Sequence, residues 1–180
     1  MALLLALAVA TSGCSAEHSR GGMAAYGESD FELRPAPPAK DVPPSLTVNE
    51  ATLDAGYADW QTASEELKLE LSPEDVLTIR APDAPQIVLR DADQPLEVRL
   101  LLHRGPLSEI TPGAMPAEYI CGLSAFCALR PQGADLAIDF PVPSETTYVV
   151  GVMVDYFADP DVGPHRVKNS IGWVVEILRN

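Results

Sequence analysis

The sequence predicts an all-β fold, an antiparallel β-sandwich of about seven strands, and three observations carry that prediction. Apolar and charged residues alternate in short runs, as in Leu67-Lys68-Leu69-Glu70-Leu71, which gives a strand one apolar and one charged face. Pro and Gly, 17 and 12 of the 180 residues, punctuate nearly every junction between such runs. No long amphipathic helical pattern lies between them, so the crossover helices that a parallel sheet needs are missing.

Taken in order, Ser45 to Leu53 reads as a short strand. Tyr57, Trp60, Ala63 and Leu67 then fall at near-helical spacing and predict one short helix over Ala58 to Glu65. Leu67 to Leu71, Val76 to Ala81, Gln86 to Arg90, Leu96 to His103, Ala134 to Phe140, Thr147 to Phe157 and Ile171 to Leu178 follow as strands. Leu100-Leu101-Leu102 and the run from Tyr148 to Val154 are too apolar for simple alternation, so they belong at sheet centres, covered on both faces or nearly so. The whole predicts a sandwich of the immunoglobulin or transthyretin kind over residues 45–180. Tyr148 follows a Pro-Val-Pro-Ser-Glu connection, where a corner tyrosine would tie the preceding chain through its hydroxyl; a plain edge aromatic is the alternative.

Before that domain, nine small and apolar residues from Ala2 to Ala10 run into Thr11-Ser12-Gly13-Cys14. At ~1.5 Å of rise per helical residue the run is too short to span a bilayer, but it fits the apolar centre of a secretory signal. Small residues before a cysteine suit a lipoprotein signal peptidase, so residues 1–13 are expected to be a signal peptide and Cys14 to carry lipid such as palmitate. No Lys or Arg precedes the run, and Thr11 stands where such signals most often have Leu. An ordinary export signal with Cys14 incidental is therefore the competing reading. Ser15, rather than Asp, follows the cysteine, which directs the expectation to the periplasmic side of an outer membrane. Residues 14–44 are small, polar and proline-rich, with Pro35, Pro37, Pro38, Pro43 and Pro44 at their end, and read as a disordered tether and spacer.

Charge removes several function classes. With 26 acidic and 12 basic residues the formal charge is −14, and no basic run is present to neutralise a phosphate backbone, so nucleic acid is not an expected partner. The same excess disfavours adsorption to an anionic membrane, which leaves lipid as the means of attachment. With Cys14 acylated, Cys121 and Cys127 remain as a pair. In an oxidising compartment they predict a local disulfide, two buried thiols being the alternative. His18, His103 and His165 are scattered away from the cysteines and predict no zinc site.

Catalytic patterns are equally sparse. Ser124 and Ser144 lack a Gly-x-Ser-x-Gly setting, and no phosphate loop, His-Glu-x-x-His or EF-hand pattern occurs. The pairs Asp91 with Asp93 and Asp159 with Asp161 offer oxygens to calcium, yet Asp in turns more often caps local amides. The expectation is a non-enzyme without metal or cofactor.

Four segments then form an ordered pattern: Gln94-Pro95-Leu96-Glu97-Val98-Arg99-Leu100, Leu129-Arg130-Pro131-Gln132-Gly133, Tyr148-Val149-Val150-Gly151-Val152, and Tyr156-Phe157-Ala158-Asp159-Pro160-Asp161. Over about residues 76–166 this resembles the outer-membrane lipoprotein of type VI secretion systems, called TssJ or SciN. Departures from the family pattern are the two cysteines within Ile110 to Ala128, where members are Phe-rich, and His165-Arg166 in place of Trp-Arg. The resemblance implies a structural subunit that binds the periplasmic part of the inner-membrane subunit TssM through the loop between its first core strands. The matching stretch is Pro82 to Gln94, which makes Asp83, Gln86, Arg90, Asp91 and Asp93 the implied contact residues. Read by itself, the stretch is an edge strand with its turns, and such an edge can also pair with a partner strand. A surface lipoprotein that binds a small ligand or carbohydrate is the alternative function.

Overall fold

Alternating burial along short segments produces twelve strands among the described residues, which in this computed structural model are 40–62, 64–70, 72, 76–111, 113–158 and 168–179. They are β1 (Ser45–Val48), β2 (Ala51–Leu53), β3 (Tyr57–Gln61), β4 (Glu66–Leu69), β5 (Leu77–Arg80) and β6 (Ile87–Arg90). After these come β7 (Glu97–Arg104), β8 (Ala117–Ile120), β9 (Ala128–Gln132), β10 (Asp135–Asp139), β11 (Thr147–Phe157) and β12 (Lys168–Leu178). A five-stranded sheet has the order β2-β1-β6-β10-β9, and a seven-stranded sheet has the order β4-β3-β12-β11-β7-β8 with β5 added beside β12. Every pairing is antiparallel except that of β5 with β12.

A period of two puts one set of side chains from each strand between the sheets. From β11 these are Tyr148, Val150, Val152, Val154 and Tyr156, and from β12 Ile171, Trp173, Val175 and Ile177. Val98, Leu100 and Leu102 of β7 meet Leu46, Val48, Ile87, Leu89 and Ile138 of the other sheet in the same core. Each such side chain contributes about 1.5–3 kcal/mol by leaving water, so β7, β11 and β12 carry much of the stability. β12 is long enough to pair its first half with β3, through Ser170 to Gly172, and its second half with β5, through Val175 to Leu178.

Several expectations change at the level of elements. The segment Ser45 to Leu53 is two strands, because Asn49 and Glu50 take φ of 47° and 71° and close a two-residue hairpin of type I′ geometry. No helix forms over the described part of Ala58 to Glu65. Ala58 and Trp60 point into the core while Tyr57 and Asp59 point out, and pairing with β12 and β4 supplies hydrogen bonds that a two-turn helix would have to make alone. β8 and β9 are additional short edge strands; Pro131 fits in β9 because an edge leaves its missing donor without consequence. Finally, Gln86 to Arg90 is not an edge. It forms β6, flanked by β1 and β10, with Ile87, Val88 and Leu89 all buried.

The corner reading of Tyr148 also changes. Its hydroxyl is buried with no hydrogen-bond partner among the described residues, and burial pushes the phenol pKa up. The preceding connection is tied instead by Arg179, whose Nη1 donates to the Pro143 carbonyl at 2.7 Å and whose backbone N–H donates to the Thr146 carbonyl at 2.8 Å.

Candidate functional site

Because β6 runs through the middle of Pro82 to Gln94, the five implied contact residues do not share one loop. Asp83 and Gln86 are exposed at one end of the strand, and Arg90, Asp91 and Asp93 are exposed at the other. At the first end the Gln86 backbone N–H donates to Asn49 Oδ1 at 2.8 Å, and the Asn49 N–H returns a bond to the Gln86 carbonyl at 2.9 Å.

The second end carries more hydrogen bonds to its neighbours. Arg90 Nη1 donates to Asp135 Oδ2 at 2.7 Å, and the Asp91 N–H donates to the other Asp135 oxygen at 3.0 Å. Ala92 is fully buried and donates to the Ala134 carbonyl at 2.8 Å, which leaves the flanking Asp91 and Asp93 exposed. Asp91 and Gln94 sit at φ of 51° and 50°, a left-handed conformation that Asp tolerates in turns and that is uncommon for Gln. The result is an exposed acidic turn tied to Ala134 and Asp135, at the start of β10, by three hydrogen bonds.

Asp135 is the fastener that sequence reasoning missed, since only the pairing of β6 with β10 brings it to Arg90. The hydrogen bond from Arg90, then that from the Asp91 N–H, hold its carboxyl below the usual carboxylate range. A carboxyl depressed in the folded state supports that state above the ordinary pKa of ~3.9 and loses the contribution as pH falls through its lower folded value. The turn is therefore expected to stay closed at neutral pH and loosen only in acid. Protection of the Asp91 amide, corrected for intrinsic exchange and followed from pH 7 down to pH 2, checks this, and Asp135→Asn should lower that protection already at pH 7.

Cys121 and Cys127 are joined as a disulfide. The bridge closes the link by which the chain leaves β8 of one sheet and enters β9 of the other, and the Tyr119 and Phe126 rings stack beside it with centroids 4.1 Å apart. A loop this short gives a chain-entropy contribution of ~2 kcal/mol, so the bridge secures the link and not the sandwich.

A pocket of about 380 Å³ lies on the outer face of the seven-stranded sheet. Leu101, Val149, Gly151 and Val174 form its floor, and Leu107 and Ile110, from a 3-10 turn at Leu107–Glu109 and the residue after it, stand as a wall. Glu176 holds that turn down: one carboxylate oxygen accepts from the Leu107 N–H at 2.9 Å and the other from Thr78 Oγ1 at 3.0 Å. Gly151 keeps the floor low, since a Cβ there would lie 3.1 Å from Leu101 Cβ. His103 is the one titratable side chain in the lining among the described residues. Such a surface can hold an apolar group; among the described residues its lining contains no carboxylate and no serine or cysteine nucleophile.

On the same face, Asp155 is a buried carboxylate. Its Oδ1 accepts from Ser170 Oγ at 2.6 Å, while Oδ2 accepts from Lys168 Nζ at 2.7 Å and Arg99 Nη2 at 3.3 Å. A lone acid within an eleven-residue apolar strand was the available signal, because a buried charge requires a cation nearby. Among the described residues no three His, Cys, Asp or Glu side chains are grouped to hold a metal ion. Cys14, His165 and the pair Asp159 and Asp161 lie outside the described residues. Comparison with protein-family models, with curated proteins and with solved structures gives no match for this chain.

Proposed function

We infer that this chain is a lipid-anchored envelope subunit that acts by binding a partner, of the kind the secretion-lipoprotein resemblance implies. The observation that supports this reading best is the acidic turn at Arg90, Asp91 and Asp93, held by Asp135 and by the Ala134 carbonyl. An acidic projection tied in this way suits docking to a basic patch, since little ordering entropy is lost on contact. Of the five contact residues implied by the resemblance, Arg90, Asp91 and Asp93 thus form one surface, and Asp83 and Gln86 belong to another end of the strand.

The test is charge reversal at each end. Asp91→Lys with Asp93→Lys is expected to abolish co-purification of the inner-membrane subunit in cells that carry the secretion apparatus. Asp83→Lys with Gln86→Lys is expected to leave it intact. Retention of the complex by the first pair would overturn the interface. Unchanged membrane partition of Cys14→Ser would remove the lipid anchor separately.

The ligand-binding alternative keeps one observation of its own, the apolar pocket. Its lining favours a small apolar ligand over a carbohydrate, since among the described lining residues His103 alone has a polar side chain to meet sugar hydroxyls.

A further inference from the structure

We propose that β8 is a docking edge for an extended segment of a partner protein, which would add to the seven-stranded sheet as a further strand. β8 lies at the end of its sheet, paired on one side with β7. The Cys121 N–H donates to the Val98 carbonyl at 2.9 Å, and that bond fixes the alternation of the whole strand. Ala117 and Tyr119 turn their backbone groups toward β7, whereas Glu118 and Ile120 turn theirs away. The Ile120 carbonyl already accepts two bonds, from the Ser124 N–H at 2.8 Å and the Leu123 N–H at 3.3 Å. This leaves the Glu118 N–H, the Glu118 carbonyl and the Ile120 N–H facing outward and unpaired among the described residues.

The flanks of this edge are apolar and exposed. Met115 just before β8 is 88% exposed, Leu123 just after it 84%, and Ile120 within it 36%. Other edges carry the features that deter pairing. β2 has three residues, β4 carries Glu66 and Lys68, β5 ends on Arg80 and is soon followed by Pro82, and β9 contains Pro131 beside the Arg130–Asp139 ion pair. β8 has one charge, Glu118, and Arg99 holds it at 3.3 Å.

Charge and register exclude a second copy of this chain as the occupant. A symmetric antiparallel pairing centred on Glu118 sets two Glu118 carboxylates directly opposite each other, within molecules that each carry a net charge of −14. A pairing of Glu118 with Ile120 of the other copy needs an Ile120 carbonyl whose two lone pairs Leu123 and Ser124 already occupy. The occupant is therefore a foreign strand, apolar at alternate positions and basic or neutral where it faces Glu118.

A capped, fluorescein-labelled eight-residue peptide alternating valine with lysine is the probe, added to the full chain at physiological salt. Glu118→Pro removes an outward donor and blocks the edge while leaving the β7 ladder intact, and should weaken the peptide by about tenfold, as the loss of one or two net hydrogen bonds gives. Glu118→Gln keeps the donor and should bind within about threefold of the parent, because an exposed charge contributes little. Bound peptide should slow amide exchange at Glu118 and Ile120. A peptide N-methylated on its β8-facing residues should not bind the unaltered protein, a readout that does not depend on how the proline variant folds. Equal binding to the Glu118→Pro variant and the parent, or equal loss in both variants, overturns strand addition. A concentration-dependent dimer that Glu118→Pro abolishes assigns the edge to a second copy instead. None of these readouts involves Cys14 or Asp91, so they stand or fall apart from the acidic-turn interface.

Discussion

Asp155→Ala is expected to destabilise the domain by about 2–4 kcal/mol, near the lower part of the range for breaking a buried ion pair. The carboxylate is 3% exposed and serves three donors, Ser170, Lys168 and Arg99. Removing it leaves the hydroxyl of Ser170, a residue 7% exposed, without its acceptor. Two cations also lose the charge that holds them on the sheet. Arg99 retains Glu97 at 3.1 Å and Glu118 at 3.3 Å, and Lys168 is half-exposed and can turn to water, so the loss stays below that of a fully enclosed pair. Asp155→Asn should cost less, because the amide oxygen still accepts from Ser170. Urea denaturation checks both variants: the midpoint should fall with an unchanged slope. A shift worth less than about 1 kcal/mol would mean that the network behaves as an ordinary surface pair.

The same network explains where the strands were and were not readable in the sequence. The bounds of β11, Thr147 to Phe157, are legible in the sequence, since its apolar run has no competing pattern. β12 was expected to begin at Ile171, yet it begins at Lys168. Lys168, Asn169 and Ser170 look like a loop by themselves. They extend the strand because Lys168 and Ser170 meet Asp155, and because Asn169 exchanges two hydrogen bonds with the Gln61 backbone, at 3.1 and 3.0 Å. Those partners are far away in sequence, and no local pattern encodes them. The helix expected at Ala58 to Glu65 failed for a related reason: apolar spacing over so few residues fits either period, and tertiary pairing decided it.

Legibility of the candidate sites follows the same division. The disulfide was readable, because two cysteines in a short segment have few alternatives. Asp91 and Asp93 were marked by their turn, but Asp135, which fixes that turn, becomes a neighbour only through the order of strands in the sheet. The apolar pocket was not readable either. Its floor combines residues of three strands, and its wall is a 3-10 turn whose attachment to Glu176 is a long-range bond.

Leu100, Leu101 and Leu102 look alike in sequence, and their truncations are expected to differ sharply. Leu100 is 0% exposed between the two sheets, opposite Val152 on one side and Tyr119 on the other. Leu100→Ala should therefore cost about 3–4 kcal/mol, the transfer loss plus a cavity that paired strands cannot collapse. Leu101 faces the other way, across Gly151, and helps floor the pocket while staying partly exposed. Leu101→Ala should cost only about 1 kcal/mol, because much of what it removes already faces open space. It should also enlarge the pocket, whereas Gly151→Ala should shrink it by placing a methyl group against Leu101, at an overpacking cost of about 1–3 kcal/mol. An apolar fluorescent probe such as anilinonaphthalene sulfonate, titrated into folded protein, reads the pocket directly. Binding should rise in Leu101→Ala and fall in Gly151→Ala, while melting curves separate these effects from loss of fold. Equal destabilisation by Leu100→Ala and Leu101→Ala would show that the outer face is as tightly covered as the core, which would leave no room there for a ligand.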